Sequence, residues 1–265
     1  MKFLKLTSCL SANADFIGQA MADYITRRLP LAAEFINDIP WQERVRQLDT
    51  AEIQLGWMCG LLYVWKRARP DVQLELLAAP VMRAPRYQNR PIYFSDVVVR
   101  RDSPFQTFAH LRGTTWAYNE PGSYSGYHLV RYHLATLGEW SGYFGRVVES
   151  GAHQASLGLV ASGQADAAAI DSTVLELELA QQPVLGRQIR VIETLGPSPI
   201  PPWVISKSLP PEARSELRQL LLDMRQDAEG QDILANSPVA RFVAVTDEDY
   251  DVLGLRAQIG EQVKL

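Results

Sequence analysis

Short apolar runs of β-type residues alternate with amphipathic stretches along most of the chain, the pattern of a sheet whose strands are joined by helices. Residues 3–8 alternate apolar and polar side chains and read as a first strand. Through Ser11 and Asn13 they lead into a helix over residues 15–28, with Phe16, Ala20, Tyr24 and Ile25 at inward spacing, and Pro30 ends it. Residues 31–36 predict a second strand, 40–48 a helix with Pro40 in its first turn, 53–57 a third strand and 60–69 a helix. Residues 72–81 are apolar enough for a strand covered on both faces, and 83–91, rich in proline and arginine, form a loop.

A second series begins with the alternating stretch 92–100. Strands over 114–118, 146–149 and 167–170 are each followed by a helix, over 125–137, 153–162 and 173–181. Residues 189–195 then run into Gly196-Pro197-Ser198-Pro199-Ile200-Pro201-Pro202, a stiff segment suited to a crossing between domains. A short strand over 203–206 and one helix over 211–228, with Leu217, Leu220, Leu221 and Met224 in a stripe, complete the pattern. That helix needs a surface to cover. With no fresh strands predicted after it, it returns to the first domain, which is therefore discontinuous: residues 1–94 with 200–265 form one lobe and 95–199 the other. The predicted fold is α/β, each lobe a mixed, mostly parallel sheet flanked by helices, joined by two crossover strands. In such sheets ligands bind beyond the carboxyl ends of the strands, where loops and helix N-termini converge.

Composition narrows the function. The 265 residues are 47% hydrophobic and 21% charged, ordinary for a globular protein, and the net charge of −4 supplies no basic field for nucleic acid. No apolar run is long enough to cross a bilayer, so no membrane insertion is expected. The amino terminus alternates where a signal peptide needs a continuous apolar core, which together with the initial Met predicts a cytoplasmic protein, or a periplasmic one if a leader has been removed. Cys9 and Cys59 make neither a disulfide framework nor a zinc pattern and read as small buried hydrophobes; if strands 1 and 3 are neighbours, both lie at one sheet edge. H-E-x-x-H, G-x-S-x-G, G-x-G-x-x-G and the Walker loop are all absent, and no cofactor or metal is expected.

The candidate chemistry lies in the strand-to-helix turns. Asn119-Glu120-Pro121-Gly122-Ser123-Tyr124-Ser125-Gly126 leaves a strand and opens a helix; its N–H groups and two serine hydroxyls suit a phosphate or carboxylate, or else form an ordinary cap. Glu149-Ser150-Gly151-Ala152-His153 places His153 in a helix's first turn, where it can donate to an oxyanion and where the helix dipole favours its neutral form; the other reading is a satisfied surface histidine. Asp171, at the end of a strand, reads equally as a ligand group and as a helix N-cap. In the first lobe the matching turns offer Thr7 and Ser8 as donors and Trp57 as an aromatic wall.

With Tyr93-Phe94-Ser95-Asp96-Val97-Val98-Val99-Arg100-Arg101-Asp102-Ser103, Leu111-Arg112-Gly113, Ser123-Tyr124-Ser125-Gly126-Tyr127, Ser150-Gly151-Ala152-His153 and the run from Val160 to Asp171, the chain resembles the phosphate/phosphite/phosphonate-binding (PhnD-like) solute-binding proteins of ABC transporters. The resemblance implies a two-lobed type II periplasmic-binding-protein-like fold that closes on a small oxyanion, phosphate, phosphite or phosphonate, with an ABC permease as partner. It implies that Ser123, Tyr124, Ser125 and His153 hold the anion, Tyr124 through its backbone N–H, with Trp57 and Asp171 approximately at family cleft positions. The family often has an acidic ligand residue within 197–202, and this chain has none. Catalysis is not called for by this reading. The rival is a cytoplasmic enzyme of small-molecule biosynthesis on the same fold, with His153, Asp171 or Cys59 as acid, base or nucleophile.

Overall fold

The computed structural model describes residues 3–265. In chain order its strands and helices are β1 (Phe3–Ser8), α1 (Asp15–Arg28), β2 (Ala32–Ile36), α2 (Trp41–Asp49), β3 (Leu55–Trp57), α3 (Gly60–Arg67), β4 (Leu74–Met82), β5 (Ile92–Arg100), β6 (Thr115–Tyr118), α4 (Leu129–Thr136), β7 (Arg146–Glu149), α5 (His153–Ala161), β8 (Ala167–Asp171), α6 (Ser172–Gln181), α7 (Leu185–Gln188), β9 (Ile189–Pro199), β10 (Trp203–Ser206), α8 (Pro211–Leu222), α9 (Ala228–Ala235), β11 (Val239–Val243) and α10 (Asp247–Gly260). Two compact units result. The first takes the chain up to Ile92 and Pro199–Asp251; the second takes Tyr93–Ser198 and Val252–Leu265.

The first unit holds a six-stranded sheet in the order β11-β4-β10-β3-β1-β2. β1 runs parallel to β2 and β3, whereas β10 is antiparallel to β3 and β4, and β11 to β4. Leu4, Leu6, Leu55, Ala78, Val204 and Ile205 are fully buried, so this sheet is covered on both faces, as the near-continuous apolar run of β4 requires. The second unit holds five strands in the order β7-β6-β8-β5-β9, with β6 parallel to β7 and β8, and β5 antiparallel to β8. Its core joins Val98, Ala117, Ala168 and Ile170 from strands to Leu157 and Val160 of α5 and Leu175 of α6. The parallel strands β6, β7 and β8 thus end at Tyr118, Glu149 and Asp171, on one edge of the sheet.

The pattern expected from the sequence differs from this fold in several places, the short helix α7 among them. The single helix expected over 211–228 ends at Leu222, and after a short turn Asp227 takes an extended conformation and its carboxylate accepts from the N–H groups of Glu229 and Gly230, starting a new helix. Gly230 is required there, since a side chain would overlap the Met224 carbonyl. Strand β9 continues through Pro197 and Pro199 instead of giving way to a loop; it lies at a sheet edge, where proline is tolerated because only one side of the strand is paired. β11 and α10 follow where no further strand was expected. The last stretch, from Val252, groups with the second unit and not with the first: Arg131 Nε donates to the Val263 carbonyl at 2.8 Å and Lys264 N to the Trp140 carbonyl at 2.9 Å. The chain therefore passes between the units within α10, besides its passages after Ile92 and after Ser198. Among the described residues no helix is long and apolar enough to cross a membrane.

A buried ion pair fastens α3 to α2 in the first unit. Lys66 Nζ pairs with Asp49, and the Lys66 side chain is 4% exposed. Asp49→Ala leaves that ammonium buried without its carboxylate and should cost about 3–5 kcal/mol in urea unfolding. A loss below about 1 kcal/mol would show that the ammonium reaches water without rearrangement.

Candidate functional site

The second unit gathers its polar buried residues at the carboxyl edge of β6, β7 and β8. After β6 the chain turns through Asn119 to Ser123, which is extended (φ −72°, ψ 127°) and caps the next helix: its Oγ accepts from Gly126 N at 3.1 Å. Its carbonyl accepts from His128 N at 3.1 Å, so the first turn, Tyr124–His128, is a wide π turn that runs directly into α4. A helix start of this kind directs its leading N–H groups outward from the turn without intrahelical carbonyls to receive them, and carries the positive end of the helix dipole.

Ser125 follows inside that turn and is 4% exposed. Its carbonyl accepts from Ser95 Oγ at 2.8 Å, and its own Oγ lies 3.2 Å from His153 Nε2. Ser95 stands on β5 in register with Asp171 of β8, so four elements meet here. His153 is delivered by the second turn: Gly151 adopts a positive φ of 85°, which its lack of a side chain permits, and His153 opens α5. Ser150 braces that turn by donating to the Tyr118 carbonyl at 3.0 Å and by pairing with Ser156 Oγ at 2.7 Å.

Burial pushes the His153 imidazole down to about 4, so the ring is neutral at physiological pH. The expected neutrality is thus present, with desolvation as its cause. A neutral ring has one N–H to give: when Nε2 accepts the Ser125 proton, Nδ1–H is the donor, and Nδ1 is buried without a protein partner. Asn119 adds a second orphan, its Oδ1 buried without a partner in the space that a side chain at 126 would need. The site therefore contains hydroxyls, N–H groups, an amide and a neutral imidazole, a set that recognises an oxyanion by hydrogen bonds.

Tyr124 and Asp171 resolve differently from this group. The Tyr124 ring is buried, and its hydroxyl lies 3.4 Å from both Ser198 Oγ and Arg256 Nη1, so its side chain has partners of its own. Asp171 is the N-cap of α6: Oδ1 accepts from Thr173 N at 2.8 Å, Thr173 Oγ1 at 2.7 Å and Val174 N at 3.4 Å. Of the two roles its position allowed, the cap is the one occupied. Burial raises its carboxyl to about 6 against the pull of those three bonds, with the Asp96 charge adding to the rise.

Thr7, Ser8 and Trp57 belong to the first unit. Thr7 Oγ1 donates to the Ile36 carbonyl at 2.6 Å, which commits its proton. Ser8 Oγ accepts from Leu10 N at 3.2 Å, and Ser8 is the register neighbour of Trp57 at the ends of β1 and β3. Trp57 stacks on Trp203 at 5.6 Å and donates through Nε1 to the Pro201 carbonyl at 3.0 Å. Cys9 N bonds the Trp57 carbonyl at 2.8 Å, and Cys9 and Cys59 are thiols not joined in a disulfide. Asn119, Ser95, Ser198 and Arg256 were not selected from the sequence as site residues. Asn119 and Ser95 lie inside the quoted motifs and were readable there; Arg256 lies in a helix the pattern did not predict.

Gly126→Ala adds a methyl group that overlaps Asn119 Oδ1 and comes within 3.2 Å of His153 Cε1. Alanine favours a helix by about 1 kcal/mol, yet the variant should melt below the parent; a higher melting temperature would show that Asn119 moves freely. His153 also sets a pH dependence. Its native pKa lies below the unfolded value of 6.5, so the unfolded chain binds more protons as pH falls from 6.5 toward 4, and the stability present above 6.5 is progressively lost. Urea melts of parent and His153→Gln over that range should show the variant gaining on the parent as the solution acidifies. Parallel curves would contradict a buried neutral imidazole.

Residues 16–250 match the sequence family described as "ABC transporter, phosphonate, periplasmic substrate-binding protein". Among solved structures, PhnD1 from Prochlorococcus marinus in complex with methylphosphonate superposes with a TM-score of 0.83 at 19% identity, covering 99% of each chain. A binding protein component of an ABC phosphonate transporter from Pseudomonas aeruginosa gives 0.81 at 21% identity, covering 98% of this chain and 88% of that one. The periplasmic aliphatic sulphonate binding protein SsuA from Escherichia coli gives 0.63 at 15% identity, covering 99% and 87%. At these identities the structural likeness establishes the fold, that of the type II periplasmic binding proteins, and the match over residues 16–250 establishes the lineage: the chain belongs to the periplasmic substrate-binding proteins of phosphonate ABC transporters.

Proposed function

We propose that this chain captures a small phosphorus oxyanion, with phosphonates as the leading class and phosphate and phosphite as relatives, and presents it to an ABC permease in the periplasm. The observation that carries the reading is the helix start at Ser123–Ser125, with the neutral ring of His153 3.2 Å from Ser125 Oγ. The Tyr124 and Ser125 N–H groups and the Ser123 hydroxyl are donors that hold the anion, joined by His153 Nδ1–H when Ser125 gives its proton to Nε2, or by the Ser125 hydroxyl when Nε2–H donates to it. Tyr124 acts through its backbone. Asp171, whose carboxyl is raised to about 6, is assigned to the support of the site by capping α6.

The proposal rests on second-unit residues; Thr7, Ser8 and Trp57 keep the structural partners given above. Family membership favours a binder over the enzyme alternative. The acid and base that alternative needs are also poorly placed: His153 resists protonation, and the Asp171 carboxylate is occupied by three donors.

Thermal unfolding of ligand-stripped protein tests the reading. Methylphosphonate, phosphite or phosphate at about 100 times its dissociation constant should stabilise the chain by roughly 2.7 kcal/mol, and Ser123→Ala or His153→Gln should reduce that shift at the same ligand concentration. Stabilisation by organic carboxylates alone, or by none of these anions, would remove the proposal.

A further inference from the structure

Arg256 lies in the part of α10 that groups with the second unit, and its polar partners are neutral. Nη1 is 3.1 Å from the Pro197 carbonyl, 3.2 Å from Ser198 Oγ and 3.4 Å from the Tyr124 hydroxyl. The guanidinium also lies over the Tyr132 ring, 5.5 Å from its centroid. Among the described ion pairs no carboxylate pairs with it. Ser198 and Tyr124 are each 1% exposed while Arg256 is half-buried, so the guanidinium reaches inward from the surface to two buried hydroxyls.

The partners matter for where they sit. Tyr124 is the first residue of the π turn, so a bond to its hydroxyl acts on the residue whose N–H leads the helix. Pro197 and Ser198 close the second unit's return strand, just before the chain passes to the first unit at Pro199. Earlier on the same helix, Tyr250 donates to the Ile200 carbonyl at 2.9 Å in the first unit. Within the second unit, the contacts of Arg256 thus join the end of the return strand to Tyr124.

We infer that Arg256 is a positioning residue for oxyanion capture: through the Tyr124 hydroxyl it fixes the helix start that presents Ser123 and the Tyr124 and Ser125 N–H groups, and it ties that start to Pro197 and Ser198. The inference rests on the reading of Ser123–Ser125 and His153 as the oxyanion site. Arginine suits the task because its planar guanidinium holds several donors in fixed directions, whereas lysine offers a rotatable point charge. Arg256 does not itself hold the ligand. Its effect is to reduce the freedom of the N–H groups before the anion arrives, which is preorganisation.

The test uses the full chain with methylphosphonate as probe, measuring association and dissociation rates for the parent, Arg256→Gln, Arg256→Lys, Tyr124→Phe and the double variant Tyr124→Phe/Arg256→Gln. Arg256→Gln should weaken binding about tenfold, almost wholly through faster dissociation. Tyr124→Phe should do the same, the double variant should be no worse than either single one, and lysine should not restore the parent value. Amide exchange in ligand-free Arg256→Gln should quicken at residues 124–128 and leave β1–β3 unchanged, a result that mere loss of global stability does not give. Additive losses in the double variant would overturn the inference, as would a salt-dependent loss in association rate that lysine restores, which marks a direct charge effect. If the parent binds methylphosphonate, phosphite and phosphate not at all, the reading of the site fails instead; exchange at 124–128 then decides separately whether Arg256 fixes the helix start.

Discussion

Ser123 satisfies the Gly126 N–H with its own side chain and receives His128 N on its carbonyl, and those two bonds fix how one helix begins. The rest of the candidate site depends on that beginning. The wide first turn places Ser125 where its carbonyl meets Ser95 and its hydroxyl meets His153. Gly126 leaves room for Asn119 because it has no side chain. An ordinary tight turn at the same position would shift each of these contacts by a fraction of a residue. The scaffold behind it is the buried five-stranded sheet, whose parallel strands deliver their loops to a single edge.

The electrostatics of this edge follow from burial more than from charge. His153 is held neutral by desolvation, and Asp171 is made a weaker acid by the same cause. Neither residue needs an ion pair to be stable there, because each has hydrogen-bonding partners suited to its position. For His153 that partner is a serine whose hydroxyl can turn either way. A site built from neutral donors and a helix start holds an anion by geometry, and it separates ligands by the placement of their oxygens as much as by charge.

Much of this was legible in the sequence. β1, α1, β5 and β10 occupy the residues that the sequence pattern predicts, since each is an alternating, a short continuous apolar or a helically spaced run bounded by a turn or by proline. The Ser-rich helix start and the glycine-histidine turn were readable because a strand, a glycine or serine turn and a helix follow one another in a short span. What sequence missed has a physical reason in each case. The helix that the Leu217–Met224 stripe suggests is continuous ends at Leu222, and Asp227 caps a new one five residues on, a restart set by a single side chain. In α10 the buried face is narrow, Tyr250, Leu253 and Ala257, and exposed Leu255 and Ile259 on other faces blur its pattern; its acidic first turn, Asp247 to Asp249, was the available signal. Ser198 and Arg256 are separated from Tyr124 by more than seventy and more than a hundred residues of chain, respectively, and no local pattern announces contacts of that range. The equal readings of Asp171 were separated only by seeing which donors reach its carboxylate.

The most direct test of the account is a crystal structure of the full chain grown with methylphosphonate. It predicts the phosphonate oxygens within hydrogen-bond distance of the Tyr124 and Ser125 N–H groups, of at least one of the Ser123 and Ser125 hydroxyls, and of a ring nitrogen of His153. A phosphonate seated elsewhere on the chain, with Ser125 Oγ still on His153 and the helix start carrying only water, would contradict it.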